Sequence, residues 1–137
     1  MRAMLTLTFA LVLGALATVV PATAAPVKPV IKLQHPSFGN ILATPRHQAL
    51  YYWTVEQKDF KVHCTGSCAR AWPPLIVRSA AAVPKRLAGI KGTFGVVRRP
   101  DGKLQVTYNR LPVYTYAHEG PNQVLCDNVN GWFVVKL

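Results

Sequence analysis

The stretch Cys64-Thr65-Gly66-Ser67-Cys68-Ala69-Arg70-Ala71-Trp72-Pro73-Pro74 constrains the fold more than any other part of this chain. Its two cysteines stand four residues apart with a glycine between them, so the backbone there has a ready means of turning tightly. Ser67 is placed to cap a short helix through Ala69-Arg70-Ala71-Trp72. Pro73-Pro74 must end that helix, because neither proline offers an N–H. The string reads as a link between one β unit before it and a second, related unit after it.

The chain begins with what reads as a delivery segment. Arg2 stands ahead of an uncharged apolar run, Ala3 to Val20, which ends in Pro21-Ala22-Thr23-Ala24-Ala25. That pattern is a secretory signal peptide over residues 1–24, cut after Ala24, because a cut after Ala25 would leave Pro26 first. The competing reading is a retained anchor: the run is close to the ~20 residues that span a bilayer, but Thr and Ala dilute it. Cleavage would leave no transmembrane segment, and the chain would be exported, periplasmic or extracellular. Residues 25–36, with Pro26, Lys28, Pro29 and Lys32, read as a flexible arm. Residues 37–137 read as a single β domain of two repeats, 37–76 and 93–137.

The 137 residues carry 16 Lys and Arg against 5 Asp and Glu, a formal charge of +11. Such a surface favours anionic partners such as lipid headgroups, wall polymers or nucleic acid. The basic residues fall singly or in pairs, Lys85-Arg86 and Arg98-Arg99, without a dense cluster. A dedicated nucleic-acid site is therefore not expected, and an anionic envelope component or a protein is the expected partner.

The spacing predicts mostly strands. Gly39–Ala43, a turn at Thr44-Pro45-Arg46-His47, and Ala49–Val55 read as a hairpin whose second strand is aromatic and β-branched. Val77–Gly92 reads as an Ala-rich link with one helical turn near Pro84–Ala88. Thr93–Arg98 and Lys103–Tyr108 flank Arg99-Pro100-Asp101-Gly102, with Pro and Gly where a β-turn wants them. Strict alternation puts Leu104, Val106 and Tyr108 on a buried face. Asn109-Arg110 turns into Leu111–Ala117. Trp132-Phe133-Val134-Val135 is apolar on both faces and should be covered on both. The expected class is all-β or β-dominated: two related hairpin units of short antiparallel strands joined by a short helix and Pro-Pro segment.

Two aromatic stretches match each other. Tyr51-Tyr52-Trp53-Thr54-Val55-Glu56 and Tyr114-Thr115-Tyr116-Ala117-His118-Glu119 both read Tyr-x-aromatic-x-x-Glu. The tyrosine and second aromatic share a strand face, and the glutamate falls where it could tie down the following loop. Two similar hairpins with aromatic cores explain this repeat without any function. With Cys64–Pro74, Val106-Thr107-Tyr108-Asn109, Leu111-Pro112-Val113-Tyr114 and Asn130–Val135, the motifs cover nearly all of the chain from Gly39. In them the chain resembles the bacterial "secreted repeat of unknown function" family of exported proteins and lipoproteins. That family repeats Tyr-x-aromatic-x-x-Asp and follows the first copy with Cys-Thr-Gly-x-Cys-x-x-x-Trp-Pro-Pro. The resemblance implies export and a small β fold, and no established activity. Its motif positions here are Tyr51, Trp53, Glu56, Trp72, Pro73, Pro74, Tyr114, Tyr116, Glu119 and Trp132. Glu56 and Glu119 stand where the family has Asp. Arg110 replaces the usual turn Gly, so Asn109 is expected to take the left-handed position. Cys126 occupies a loop more typically Gly-rich.

In an exported chain Cys64, Cys68 and Cys126 are disulfide candidates first. A Cys64–Cys68 bridge would be worth ~2 kcal/mol and Cys64–Cys126 ~4 kcal/mol, but the long bridge requires two remote sites to be adjacent. The family resemblance pairs Cys64 with Cys68, leaving Cys126 buried, free, or bridging two molecules in a disulfide-linked dimer. The sharper alternative is a copper or zinc centre, or a thiol-redox site, built from His63, Cys64, Cys68 and His118, with His47 nearby in the pattern. A Cys64–Cys68 disulfide would remove both of its sulfur ligands.

No Gly-x-Ser-x-Gly, phosphate loop or dinucleotide fingerprint is present, and no catalytic residue is assigned. Cys126 is the one candidate for a nucleophile free of a disulfide, but Asp127 beside it should raise its pKa. Trp53, Trp72 and Trp132 lie in apolar contexts that favour core packing over an exposed stacking platform. The reading is a non-enzymatic, exported β module without a cofactor, binding an anionic surface or a protein partner in the cell envelope.

Overall fold

A computed structural model describes Val19, Val20 and residues 28–137. The expected leader, residues 1–24, lies outside the described residues except for Val19 and Val20, which are exposed. Among the described residues no helix is long and apolar enough to cross a membrane.

The chain is β-dominated, with small antiparallel sheets. β1 (Ile31–His35) and β2 (Gly39–Ala43) form a hairpin in which Leu33 faces Ile41. β3 (Tyr51–Trp53) is followed by a 3-10 turn at Thr54–Lys58 and by the short helix α1 (Ser67–Ala71). β4 (Ile76–Val77), β5 (Phe94–Arg98), β6 (Leu104–Tyr108) and β7 (Leu111–Pro112) make one sheet, and β8 (Trp132–Val134) pairs with β3. Within the larger sheet β5 covers one edge of β6 along its whole length, while β4 and β7 share the other.

Consecutive residues in the middle layer belong to different cores. Leu42, Leu50, Val113 and Val135 join one cluster with Val30, Phe94 and Val106. Their neighbours Ile41, Tyr51, Tyr114 and Val134 join a second, with Cys64, Trp72 and Trp132. Side chains alternate across a strand, so this layer is covered on both faces, as the apolar Trp132–Val135 run required. Backbone bonds hold the layer together: Leu42 N–H donates to Val135 O, Val135 N–H to Leu50 O, and Leu50 N–H to Leu42 O, each at 2.9 Å.

Several expectations change. The arm ends earlier than Ser37, because Ile31–His35 pairs as β1 and Val30 is buried. The Gly39–Val55 hairpin closes around the expected Thr44–His47 turn, where His47 N–H donates to Thr44 O at 2.8 Å and Thr44 N–H to Gln48 O at 2.9 Å, and pairs no further than the Ala43–Ala49 bridge and the Leu50–Leu42 bond. Beyond it, Tyr51–Trp53 leaves to pair with β8, where its aromatic side chains find aromatic partners. The turn in the 77–92 link is a 3-10 turn at Ala80–Ala82. Val83 and Leu87 reach the core from that link. Gly66, at φ 56, is the residue before α1 with no side-chain cap, so Ser67 begins the helix instead of capping it.

On β6 the expected clean face is lost: Gln105 and Thr107 are buried along with Val106, whereas Leu104 and Tyr108 are only half-buried, because the middle of β6 is flanked on both edges. The Arg99–Gly102 turn forms as read, with Gly102 N–H donating to Arg99 O at 2.9 Å. At Asn109-Arg110 both residues have positive φ, 48° and 72°, and the Arg110 guanidinium lies 3.9 Å over the Phe60 ring.

Candidate functional site

The two aromatic motifs meet. Tyr51 and Tyr114 are buried opposite each other, and each donates its N–H to the other's carbonyl at 2.8 and 2.9 Å. Each hydroxyl then reaches the glutamate of the other motif. Tyr51 Oη donates to Glu119 at 2.6 Å to Oε1 and 2.7 Å to Oε2, and Tyr114 Oη donates to Glu56 Oε1 at 2.7 Å. Glu56 also ties down its own loop, accepting the N–H groups of His63 at 2.8 Å and Cys64 at 3.3 Å. Burial, reinforced by these carboxylates, pushes both phenols far above their ordinary range. Burial also raises the Glu119 carboxyl, and the bond from Tyr51 opposes that shift.

A second buried network has no counterpart in the sequence reading. Arg99 is buried just past β5, where Nη2 donates to Cys64 O at 2.8 Å and Nη1 to Gln105 Oε1 at 2.6 Å. Gln105 Nε2 passes the chain on to Val113 O at 2.9 Å. The main chain at Cys64 is thus held from its N–H side by Glu56 and from its carbonyl side by Arg99. The only sequence hint was a basic residue at the edge of a β-turn, which is ordinarily solvated.

Cys64 and Cys68 form a disulfide that staples the start of α1. Trp72 N–H donates to Cys68 O at 2.8 Å, and the prolines then end the helix. Trp72 is buried and stacks on Trp132 with ring centroids 3.9 Å apart, and Trp53 stacks on the other side of Trp132 at 5.3 Å. Tyr116 packs on Trp72 at 4.7 Å. The three indoles form a core stack between the two motifs, with Trp53 half-buried at its end.

The residues of the metal alternative do not assemble. The sulfurs of Cys64 and Cys68 are in the disulfide, His63 Nε2 lies 3.0 Å from Asp59, and the His118 ring packs on Tyr116. Among the described residues no group of three or more His, Cys, Asp or Glu is placed to hold a metal ion. Cys126 is a free, half-buried thiol. Burial, not Asp127, is the main cause that raises its pKa, because Asp127 turns away to accept the Val134 N–H at 3.0 Å and pair with Lys136 at 3.2 Å.

Comparison with protein-family models, curated proteins and solved structures finds no match. The surface therefore carries the functional argument.

Of the five acidic residues, Glu56 and Glu119 are buried and Asp127 is paired, which leaves Asp59 and Asp101 exposed. Asp59 is occupied by the Lys61 N–H and His63, and these hold its carboxyl below its ordinary range. Of the sixteen basic residues, Arg2 lies outside the described residues and Arg99 is buried; the remaining fourteen are all exposed. A hollow of about 320 Å³ is lined by Tyr52, Phe133, Tyr108 and Leu111. Its one carboxylate is the Asp127 already engaged by Lys136.

Proposed function

We propose that this chain is an exported, non-catalytic β module that binds an anionic surface of the cell envelope, and that it belongs to the secreted-repeat family its motifs resemble. One observation carries the reading: the fold spends its carboxylates inward. Two of the five brace the aromatic motifs and a third is paired, so fourteen exposed cations face solvent with two exposed acids among them. A surface of that sign steers and retains polyanions. The Cys64–Cys68 disulfide supports an oxidising compartment.

The copper, zinc or thiol-redox alternative would need that disulfide opened and His118 moved from Tyr116, and no observation favours it. Sedimentation with vesicles containing an anionic lipid, against vesicles of neutral lipid, tests the proposal. Binding confined to the anionic vesicles is expected. Equal binding to both, or binding neither to vesicles nor to soluble poly(glycerol phosphate), would contradict it.

A further inference from the structure

We propose that the face made by the start of β1 and the Pro84–Gly92 loop docks on the phosphodiester headgroups of an anionic phospholipid bilayer. This rests on the anionic-surface reading and gives it a place on the molecule. The fold joins two basic segments that are remote in sequence. Lys28 and Lys32 rim a hollow of about 190 Å³ whose walls include Val30 and Ile31 from the first segment and Leu87 and Ile90 from the second. The approach is close: Lys32 Nζ lies 3.5 Å from where a Cβ on Gly89 would stand. Gly89, at φ 76, makes the turn across which Ile90 N–H donates to Leu87 O at 3.1 Å. Lys85, Arg86 and Lys91 flank this turn in the chain, and all are exposed.

No acidic side chain lines the hollow. Among the described residues none of these five cations takes part in an ion pair. Phe94 N–H donates to Lys85 O, which fixes the loop at the start of β5, whereas Asp101 sits in the turn beyond the other end of that strand. Five residues of strand separate them by roughly 17 Å, about twice the ~8 Å over which exposed charges act at physiological salt. Asp59 is held by His63 and the Lys61 N–H.

The two basic segments therefore meet with none of their five cations in an ion pair, and a plane of anions would supply the missing counter-charge. The cations are spread along two segments and do not converge on one point, so they match an array of headgroups better than a single bound ion.

The test compares two variants of the whole chain, each losing four cations. One carries Lys28→Gln, Lys32→Gln, Lys85→Gln and Arg86→Gln; the other carries Arg46→Gln, Arg70→Gln, Arg78→Gln and Lys103→Gln. Partition is measured onto vesicles of phosphatidylglycerol in phosphatidylcholine, and thermal melts confirm that each variant folds. A cation near an anionic membrane is worth about fivefold in partition. The first variant should therefore lose on the order of 100-fold or more, and the second less than about tenfold. Equal losses would overturn this face while leaving the anionic-surface reading standing. Absence of binding by the unmodified chain to vesicles and to soluble poly(glycerol phosphate) alike would overturn both. Binding to soluble poly(glycerol phosphate) with none to vesicles would overturn the bilayer as the source of the phosphodiesters.

Discussion

The crossed tyrosine–glutamate pairs make a prediction that separates them from two independent motifs. Tyr51→Phe removes the hydroxyl that both oxygens of Glu119 accept, at 2.6 and 2.7 Å, and leaves a buried carboxylate without that donor. A hydrogen bond to a charged acceptor is worth about 1.5–3 kcal/mol. At roughly 4 °C per kcal/mol for a domain of this size, Tm should fall by about 6–12 °C at pH 8. Glu119→Leu should cost a similar amount, because it strands the Tyr51 hydroxyl in the core. The double variant removes both partners, so it should be about as stable as either single one, a coupling of about 2 kcal/mol.

The control uses the tyrosine of the same motif. Tyr114 bonds Glu56, not Glu119, so Tyr114→Phe combined with Glu119→Leu should be additive to within about 0.5 kcal/mol. Denaturant melts of the three single and two double variants decide it. A coupling for Tyr114 with Glu119 that equals or exceeds that for Tyr51 with Glu119 would refute the crossed arrangement.

Three further outcomes are open to measurement. Trp72→Ala removes the closest contact of the indole stack, at 3.9 Å from Trp132, and should cost about 3–5 kcal/mol in chemical denaturation; a loss below about 1 kcal/mol would instead mark Trp72 as an exposed platform. Thiol titration of the native chain should find Cys126 alone and slow to react, and reduction of Cys64–Cys68 should cost about 2 kcal/mol of stability. Burial holds Glu119 above its ordinary range, so the stability tied to its proton is fully present below the unfolded value of about 4.3 and is lost as pH rises through the folded value. Glu119→Gln should flatten that decline in a series of thermal melts.

What was legible in the sequence was local. The Arg99-Pro100-Asp101-Gly102 turn, the proline stop after Trp72 and the β-rich character all follow from the conformations that single residues allow, and the structure has each of them. Partner choice was not local. Nothing within Tyr51–Trp53 says that it pairs with Trp132–Val134 and not with the strand just before it. Its aromatic content named a buried pleated surface, but not whose. Burial of Arg99 was hidden for a related reason: its acceptors, Cys64 O and Gln105 Oε1, come from a loop and from the middle of a neighbouring strand. The same holds for charge. Lys28 and Lys32 are remote in the chain from the Pro84–Gly92 loop and meet its Leu87, Gly89 and Ile90 only in the fold.

Binding to anionic vesicles as salt is raised tests the central claim most directly. Raising salt from about 0.1 M to about 1 M shortens the reach of exposed charges from about 10 Å to about 3 Å. If fourteen exposed cations carry the interaction, binding should grow with the fraction of anionic lipid and be lost over that salt range. Binding that persists unchanged in 1 M salt, or that ignores the anionic fraction, would contradict the account.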